Sequence, residues 1–213
     1  MNKRSYHQHC GVAKALDVVG ERWTLLIVRN LLLGSLRYSE LLRGLPGITT
    51  NLLAKRLREM EDAGLIEQVR SGVGDTGHAY RLTPFGEDLE PTIHALGRWG
   101  WRFLAAPAQG DHRSFEWLLI ALRRVYIGGK SIRAELVADG VPYRLVLSER
   151  SAEVARGAVR DPDVRIKGTG AKIARLFLDP SADRGRLSVE VEGPQGVLDA
   201  LTTSFDFPRP AGV

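Results

Sequence analysis

Cysteine is almost absent from this sequence of 213 residues, which contains only Cys10. One cysteine excludes an intramolecular disulfide framework and any zinc site built from several cysteines, and it favours a reducing compartment. Long apolar runs are missing as well: no stretch approaches the roughly 18 apolar residues of a membrane span, and residues 1–9 lack the apolar region of a signal peptide. We therefore predict a cytoplasmic protein that does not insert into a membrane.

Compositional extremes are also missing. Hydrophobic residues make up 44% of the chain and charged residues 26%, which is typical of a globular protein and not of a disordered one. The chain has 30 basic and 25 acidic residues, a net charge of +5. This mild excess is compatible with a polyanionic partner but does not require one, because net charge bears on association and not on fold.

Catalytic motifs are lacking. The five histidines are scattered, and the sequence contains no Ser-His-Asp order, paired-carboxylate site, phosphate-binding glycine loop or metal-ligand spacing. We therefore predict that the protein is not an enzyme and that it holds neither a cofactor nor a metal.

Segment 105–113 is the best candidate for a linker because it is small and polar and contains both proline and glycine. Before it lie 14 basic and 11 acidic residues, and from Ala105 onward there are 16 and 14. Charge therefore does not mark either half as the part that binds nucleic acid. We predict a domain at 1–104 and a second at 114–213, joined by this linker.

The first half is predicted to be mainly helical. Apolar periodicity and helix start and stop signals place helices at about 12–19, 23–33, 39–45, 50–63 and 84–104. Thr49 is suited to cap the fourth helix, which follows a Pro-Gly turn. Two strands, at 65–69 and 79–82, are joined into a hairpin by the glycine-rich segment 70–78. Helix, turn, helix and hairpin in this order indicate a winged helix-turn-helix domain.

The fourth predicted helix has the two faces that a groove-reading helix needs. At 3.6 residues per turn, one face is apolar and consists of Leu53, Leu57 and Met60. The opposite face carries Asn51, Lys55 and Arg58, with Thr50 and Arg56 on the flanks. Asparagine pairs with adenine, lysine reaches guanine or phosphate, and the two arginines, further along the helix, are expected to meet phosphate. Any amphipathic surface helix turns such residues outward, so a plain surface role stays open.

The predicted hairpin adds basic residues beside its glycine-rich loop. Arg70 and His78 lie at the two ends of the loop, and Arg81 is close by. A wing tipped with basic residues can straddle a phosphate ridge. The alternative is a flexible hairpin that carries incidental charge.

Several segments of the first half resemble the HxlR-type transcriptional regulators, relatives of the MarR group. The match begins with CGVAKALDVVGERWTLLI at 10–27, continues through 37–41, 45–49, 57–66 and 80–86, and covers roughly residues 8–104. The resemblance implies a homodimer that binds double-stranded DNA at inverted-repeat operators, with its interface formed by the N-terminal helix and the long helix after the wing. The predicted DNA contacts are Arg37, Ser39, Thr49, Thr50, Asn51, Lys55, Arg56, Arg58, Arg70 and His78.

The chain departs from this family in its recognition helix and its wing. Members commonly carry arginine where this chain has Asn51, and their wings often contain proline and acidic residues where this one is rich in glycine. Cys10 stands where several relatives sense oxidants or electrophiles, which implies a redox role. Because a second cysteine is missing, that role requires a Cys10–Cys10′ bridge or a mixed disulfide. A small residue packed near a helix start is the alternative.

The second half is predicted to be α+β. Helices are expected at about 114–126, 169–178 and 194–205, and strands at 132–138, 141–147, 153–156, 163–167 and 186–192. Asp139-Gly140 is the turn signal of a hairpin between the first two strands.

Segments 161–168, 174–178 and 187–194 resemble the sterol-carrier-protein-like domain. Such domains hold apolar ligands between a sheet and helices, which implies an apolar small-molecule effector. The strand residues expected to line its site are Ile132, Leu136, Leu145, Leu147, Val189 and Val191. The alternative is a fully packed domain that supports dimerisation or solubility.

The sequence thus predicts an α+β protein with a winged helix-turn-helix domain followed by a sterol-carrier-protein-like domain. We predict a homodimeric, sequence-specific transcriptional regulator controlled by an apolar ligand or by oxidation of Cys10. The alternative is a protein that binds lipid or another apolar ligand, or an interaction protein, without operator-specific DNA binding.

Overall fold

A computed structural model of the protein describes residues 5–70, 77–104, 111–179 and 187–208. The chain forms two compact units, residues 1–93 and 94–213. Helices and strands occur in both units, so the predicted α+β class is confirmed. Residues 105–110 of the predicted linker lie outside the described residues, and the domain bounds of 1–104 and 114–213 stay a prediction.

The first unit combines helices with a small antiparallel sheet. Its helices are α1 (Gly11–Val19), α2 (Thr24–Leu31), α3 (Tyr38–Arg43), α4 (Thr50–Asp62), α5 (Pro84–Glu87) and the start of α6 (Glu90–Gly100). Its strands are β1 (Leu36–Arg37), β2 (Ile66–Arg70) and β3 (His78–Leu82), in the order β1-β3-β2. Strand β1 is absent from the sequence prediction because two residues are too few to show an alternating pattern.

The predicted helix-turn-helix is confirmed by α3, α4 and the turn between them. Gly47 in this turn has φ of +88°, a conformation in which a side chain would be strained. The hydroxyl of Thr49 accepts the N–H of Leu52 at 3.3 Å, which caps α4 as predicted. Gly64, with φ of +72°, follows the end of α4.

One apolar core joins α2, α3, α4 and the strands of the hairpin. Its completely buried side chains include Ile27, Leu41, Leu53, Leu57 and Ile66. Because the buried residues of α4 recur every three or four positions, they lie on one side of the helix. The core therefore holds α4 from one side and leaves its other side to solvent.

The prediction of one continuous helix over 84–104 is wrong. It consists of α5, α6 and a 3-10 turn at Trp101–Phe103. Pro91 explains the break, because a proline inside a continuous helix lacks the N–H that bonds four residues back, and its ring clashes with that carbonyl. Helix α2 is also shorter than predicted, since Trp23 is left-handed with φ of +82° and precedes the first helical residue.

Replacing Gly86 by alanine is expected to destabilise the first unit by roughly 1–3 kcal/mol, the usual range for overpacking. A Cβ at this position would lie 2.0 Å from the carbonyl oxygen of Leu65 and 3.1 Å from Leu82 Cδ2. Gly11→Ala is the matched control, because its Cβ would meet nothing within 4 Å. Urea unfolding of the full chain measures both variants, and equal midpoints would contradict the expectation.

The second unit is a five-stranded sheet with helices. Beyond the C-terminal part of α6, its helices are α7 (Phe115–Val125), α8 (Gly170–Leu178) and α9 (Gln195–Thr203). Its strands are β4 (Ile132–Ala138), β5 (Val141–Leu147), β6 (Ala152–Arg156), β7 (Val164–Gly168) and β8 (Glu190–Glu192). They lie in the order β6-β5-β4-β7-β8, and only the β4–β7 pair among them is parallel. The predicted strand 186–192 is too long, because Ser188 has φ of +49°, which interrupts an extended chain.

Residues 157–163 connect β6, at one edge of this sheet, with β7 on the far side of β4. The carboxylate of Glu135, on β4, is buried and accepts the Val159 N–H at 2.9 Å and a hydrogen bond from Arg165 Nε. Burial alone would raise the pKa of Glu135, but the hydrogen bonds from Arg165 and Val159 and the charge of Arg165 hold that pKa below its usual value. The ionised carboxylate therefore pins this connection to the sheet.

Candidate nucleic-acid interface

The start of α4 is held against the start of α3. The hydroxyl of Tyr38 donates to the carbonyl oxygen of Thr50 at 2.7 Å. Thr50 is the first residue of α4, and Tyr38 is the first residue of α3. This contact fixes the N-terminal end of α4, the part of a recognition helix that faces base edges.

Helix α4 has one buried side and one polar side, as predicted. Leu53, Leu57 and Met60 are buried. Exposed on the opposite side are Asn51, Lys55 and Arg58, with Thr50 also exposed at the helix start. The side chain of Lys55 is 53% exposed, and its Nζ lies 3.8 Å from Glu59 Oε1. One solvent-facing side thus carries an amide, an ammonium and a guanidinium. These are groups with which proteins contact DNA bases and phosphates.

Arg56 does not lie where the sequence analysis placed it. Its side chain is only 7% exposed, and its guanidinium pairs with Glu21 and Glu59. At 3.6 residues per turn, Arg56 falls beside Leu53 and Met60 and not on the flank of the polar side. The predicted phosphate contact at Arg56 is therefore unsupported, because its charged group is turned away from solvent and already paired.

Arg37 and Ser39 are exposed at the start of α3. The backbone N–H of Arg37 donates to Glu40 Oε2 at 2.7 Å, so the Glu40 side chain satisfies one N–H at the start of α3. In the sheet, Arg37 lies opposite Ala79, one position from His78 at the loop end of the hairpin. The structure thus places Arg37 between α3 and the wing.

The wing carries basic residues at the end of its strands next to the loop. Arg70 and His78 lie opposite each other in the β2–β3 pair, and both are exposed. Arg81 is bound to Glu67 by a hydrogen bond of 2.7 Å between Nε and Oε1. The tip at 71–76, where the sequence analysis expected a glycine-rich loop, lies outside the described residues.

The sequence did not predict the contacts that Tyr38 and Glu21 make with α4. Tyr38 acts through its hydroxyl on a backbone carbonyl 12 positions away, and Glu21 through a side chain 35 positions from Arg56. Neither pairing leaves a periodic signal in the sequence. Position 38 could have been noted as an aromatic residue at a helix start, but its partner could not.

Cys10 lies immediately before α1 and is exposed. The backbone amides of Ala13 and Val12, in the first turn of α1, lower the pKa of the Cys10 thiol. A lower pKa gives a larger fraction of thiolate, the nucleophilic form, at neutral pH. The position and environment of this thiol therefore suit reaction with electrophiles.

Large apolar side chains are exposed on α6 and the 3-10 turn that follows it. Leu96, Trp99, Phe103 and Leu104 are 45–64% exposed, and the rings of Trp99 and Phe103 meet edge to face at 4.9 Å. In the first unit, Val12 and Leu16 of α1 are exposed in the same way. Apolar patches of this kind mark interaction surfaces.

Of the six residues predicted to line an apolar ligand site, four are buried in the second sheet, one is exposed, and Val189 lies just before the start of β8. Ile132, Leu136, Leu145 and Leu147 are buried, and Val191 is 36% exposed. Phe177 of α8 and Leu201 of α9 are buried in the same unit. Among the described residues, no group of three His, Cys, Asp or Glu is arranged to hold a metal, and no helix is long and apolar enough to cross a membrane.

Comparisons with known proteins match the first half of the chain to helix-turn-helix regulators. Residues 18–107 match the family model described as HxlR-like helix-turn-helix. An uncharacterized HTH-type transcriptional regulator of Mycobacterium tuberculosis is 43% identical over 96 residues, which cover 45% of this chain and 60% of that relative. The regulator YkvN of Bacillus subtilis is 35% identical over 91 residues, which cover 43% of this chain and 77% of YkvN.

Among solved structures, the reduced form of the transcriptional regulator YodB from B. subtilis is 27% identical, with a TM-score of 0.39, and covers 47% of this chain and 100% of its own. The family match ends at residue 107, so the likeness of the second half to a sterol-carrier-protein-like domain stays a prediction. The sequence resemblance of the first half is confirmed by the family model and by relatives such as YkvN. This chain belongs to the HxlR-like helix-turn-helix family.

Proposed function

We propose that the protein is a sequence-specific transcriptional regulator that binds double-stranded DNA through α4. The observation that supports this most directly is the polar side of α4, where Asn51, Lys55 and Arg58 are exposed opposite a buried apolar stripe. A recognition helix needs this division, because the stripe fixes it to the body while the polar side enters the major groove. Family membership supports the same function.

Selection of DNA by the full chain tests this proposal. The protein is mixed with a library of random duplexes, and the enriched duplex is compared with a scrambled duplex by fluorescence anisotropy at several salt concentrations. We expect the enriched duplex to bind at least ~10³-fold more tightly, the lower end for specific binders, and both affinities to fall with salt. Equal affinities would contradict the proposal. Binding of neither duplex, together with stabilisation by an apolar ligand, would favour a lipid-binding or interaction protein.

The proposed regulator acts as a homodimer on an inverted repeat. The exposed apolar residues of α6 and the 3-10 turn, and those of α1, supply surfaces that a second copy would cover. Two-fold symmetry requires two half-sites about one helical turn, roughly 34 Å, apart. The enriched duplexes are therefore expected to contain a repeated, inverted half-site.

Cys10 supplies a redox input in this proposal, through a Cys10–Cys10′ bridge or a mixed disulfide. Because its pKa is lowered, we expect Cys10 to react with iodoacetamide faster in the folded chain at pH 7 than in the urea-denatured chain. As pH falls through the lowered pKa, the thiolate is protonated and the rate declines. Rates measured from pH 5 to pH 9 give the midpoint. A folded-state midpoint at or above the denatured one would exclude an activated thiol.

An apolar effector of the second unit is the remaining part of this proposal. It is supported by the apolar inner face of the sheet and by helices that carry buried apolar residues. Such an effector changes DNA binding only if it binds the DNA-competent and incompetent forms with different affinity. Thermal-shift measurements on the full chain with palmitate and with cholesterol test it, and an unchanged melting temperature with both would leave this unit as a packed domain.

A further inference from the structure

Arg56 joins α4 to the segment between α1 and α2. Its Nη1 donates to Glu59 Oε2 at 2.5 Å, and its Nη2 donates to Glu21 Oε2 at 3.1 Å. Glu59 is on α4 itself, one turn further along, whereas Glu21 follows α1. The planar guanidinium fork therefore spans two carboxylates in a fixed geometry, which a lysine could not do.

A tether of this kind limits the rotation of α4 about its own axis. The apolar stripe of Leu53, Leu57 and Met60 fixes the side on which α4 packs, but apolar contacts are not directional. Arg56 lies at one edge of that stripe, so its bond to Glu21 resists rolling of the helix in either direction. Rolling would displace Asn51 and Lys55, because they lie on the opposite side of the same helix.

Glu59 extends this effect to the polar side of α4. Its Oε2 accepts the bond from Arg56, and its Oε1 lies 3.8 Å from Lys55 Nζ. As long as Arg56 holds one oxygen, Glu59 can engage Lys55 only weakly through the other. Loss of Arg56 would release the whole carboxylate to pair with Lys55, in competition with DNA.

We infer that Arg56 is a positioning residue that fixes the rotation of the recognition helix through Glu21 and holds Glu59 away from Lys55, and that it does not contact DNA. The inference rests on the proposed function of α4. It replaces the phosphate contact that the sequence predicts at this position. It also makes Glu21, a residue outside the helix-turn-helix, a determinant of operator recognition.

The test compares Arg56→Met, Glu21→Gln and the control Arg58→Met on the enriched and scrambled duplexes defined above. Arg56→Met is expected to lower affinity for the enriched duplex about tenfold, within the range for coupled neighbours. It should leave the scrambled duplex and the salt slope unchanged, because no phosphate contact is lost. Glu21→Gln should reproduce this pattern, and the double variant should bind no more weakly than Arg56→Met. Arg58→Met should weaken both duplexes and lower the salt slope by about one.

Hydrogen exchange provides a readout that needs no DNA. The amides of α4 are expected to exchange faster in both Arg56→Met and Glu21→Gln than in the wild-type chain, because α4 opens more often without its tether. Circular dichroism checks that each variant is folded. If Arg56→Met does not fold, Glu21→Gln alone tests the inference. The Glu21 side chain is 46% exposed, so its substitution is not expected to unfold the chain.

Three results would overturn the inference. A lower salt slope and weaker binding of both duplexes by Arg56→Met would make Arg56 a phosphate contact. Wild-type binding by Arg56→Met or by Glu21→Gln would show that the bond between these residues does not affect DNA recognition. Additive losses of affinity in the double variant would show that Arg56 and Glu21 act independently. Failure of the wild-type chain to distinguish the two duplexes is a different outcome, because it refutes the proposed function and with it the basis of the inference.

Discussion

Substitution of Asn51 or Lys55 by alanine is expected to weaken binding of the enriched duplex about 5- to 150-fold, which corresponds to roughly 1–3 kcal/mol per lost base contact. Both side chains are exposed on α4, opposite its buried stripe. Their removal therefore disturbs no core contact, and the melting temperature should stay unchanged. Fluorescence anisotropy with the enriched and scrambled duplexes measures the effect.

The two positions are expected to differ in how they act. Asn51 lies in the first turn of α4, where a bidentate contact to adenine is within reach, so its loss should affect the enriched duplex alone. Lys55 reaches either guanine or phosphate, and a phosphate contact would instead weaken both duplexes and lower the salt slope by about one. Lys172→Ala is the matched control, because it removes the same charge from an exposed helical position of the second unit. Unchanged affinity in both α4 variants would remove this helix from the DNA interface.

A chain with both Trp99 and Phe103 replaced by glutamate is expected to be monomeric and to lose at least ~10²-fold in affinity for an inverted repeat, the lower end for loss of bivalent binding. The two rings contact each other and are 58% and 64% exposed, so they form an apolar patch that a second copy can cover. Two carboxylates in its place would be desolvated without a partner in a dimer. Light scattering and anisotropy measure mass and affinity.

The matched control for this variant is Val141→Glu. Val141 is an exposed apolar residue at the start of β5 and is not part of the patch on α6 and the 3-10 turn. The control should keep both the mass and the affinity of the wild-type chain. A wild-type chain that is already monomeric at micromolar concentration, with and without the inverted repeat, would contradict the proposed homodimer.

The two sides of α4 could be predicted from the sequence because the helical period alone decides them. Thr49 is an N-cap residue and indicates the start of the helix, and the spacing of Leu53, Leu57 and Met60 predicts the buried stripe. Positions near the centre of either side are therefore placed correctly. Arg56, near the edge of the stripe, could not be placed by period, because its burial depends on a carboxylate 35 positions away.

Element lengths were predicted less well than their order. The sequence predicts one helix over 84–104, but α5 ends at Glu87 and α6 begins at Glu90, next to Pro91, which lacks the N–H that a continuous helix needs. Strand β1 comprises two residues, and its pairing with β3 is a long-range contact that no local pattern encodes. In the second unit, the sheet order also escaped prediction, since it depends on the long connection between β6 and β7.

The parallel pairing of β4 with β7 bears on how the chain folds during synthesis. Glu135 and Arg165, which are paired across it, lie 30 positions apart, and β4, β5 and β6 all precede the connection that Glu135 holds to the sheet. Such non-local contacts slow folding, whereas the short helices of the first unit form from local contacts. Because the N-terminal unit also leaves the ribosome first, we expect it to fold while the second is incomplete. Growing chains are therefore expected to expose the apolar strands of the second unit for longer, which makes that unit the main source of aggregation during expression.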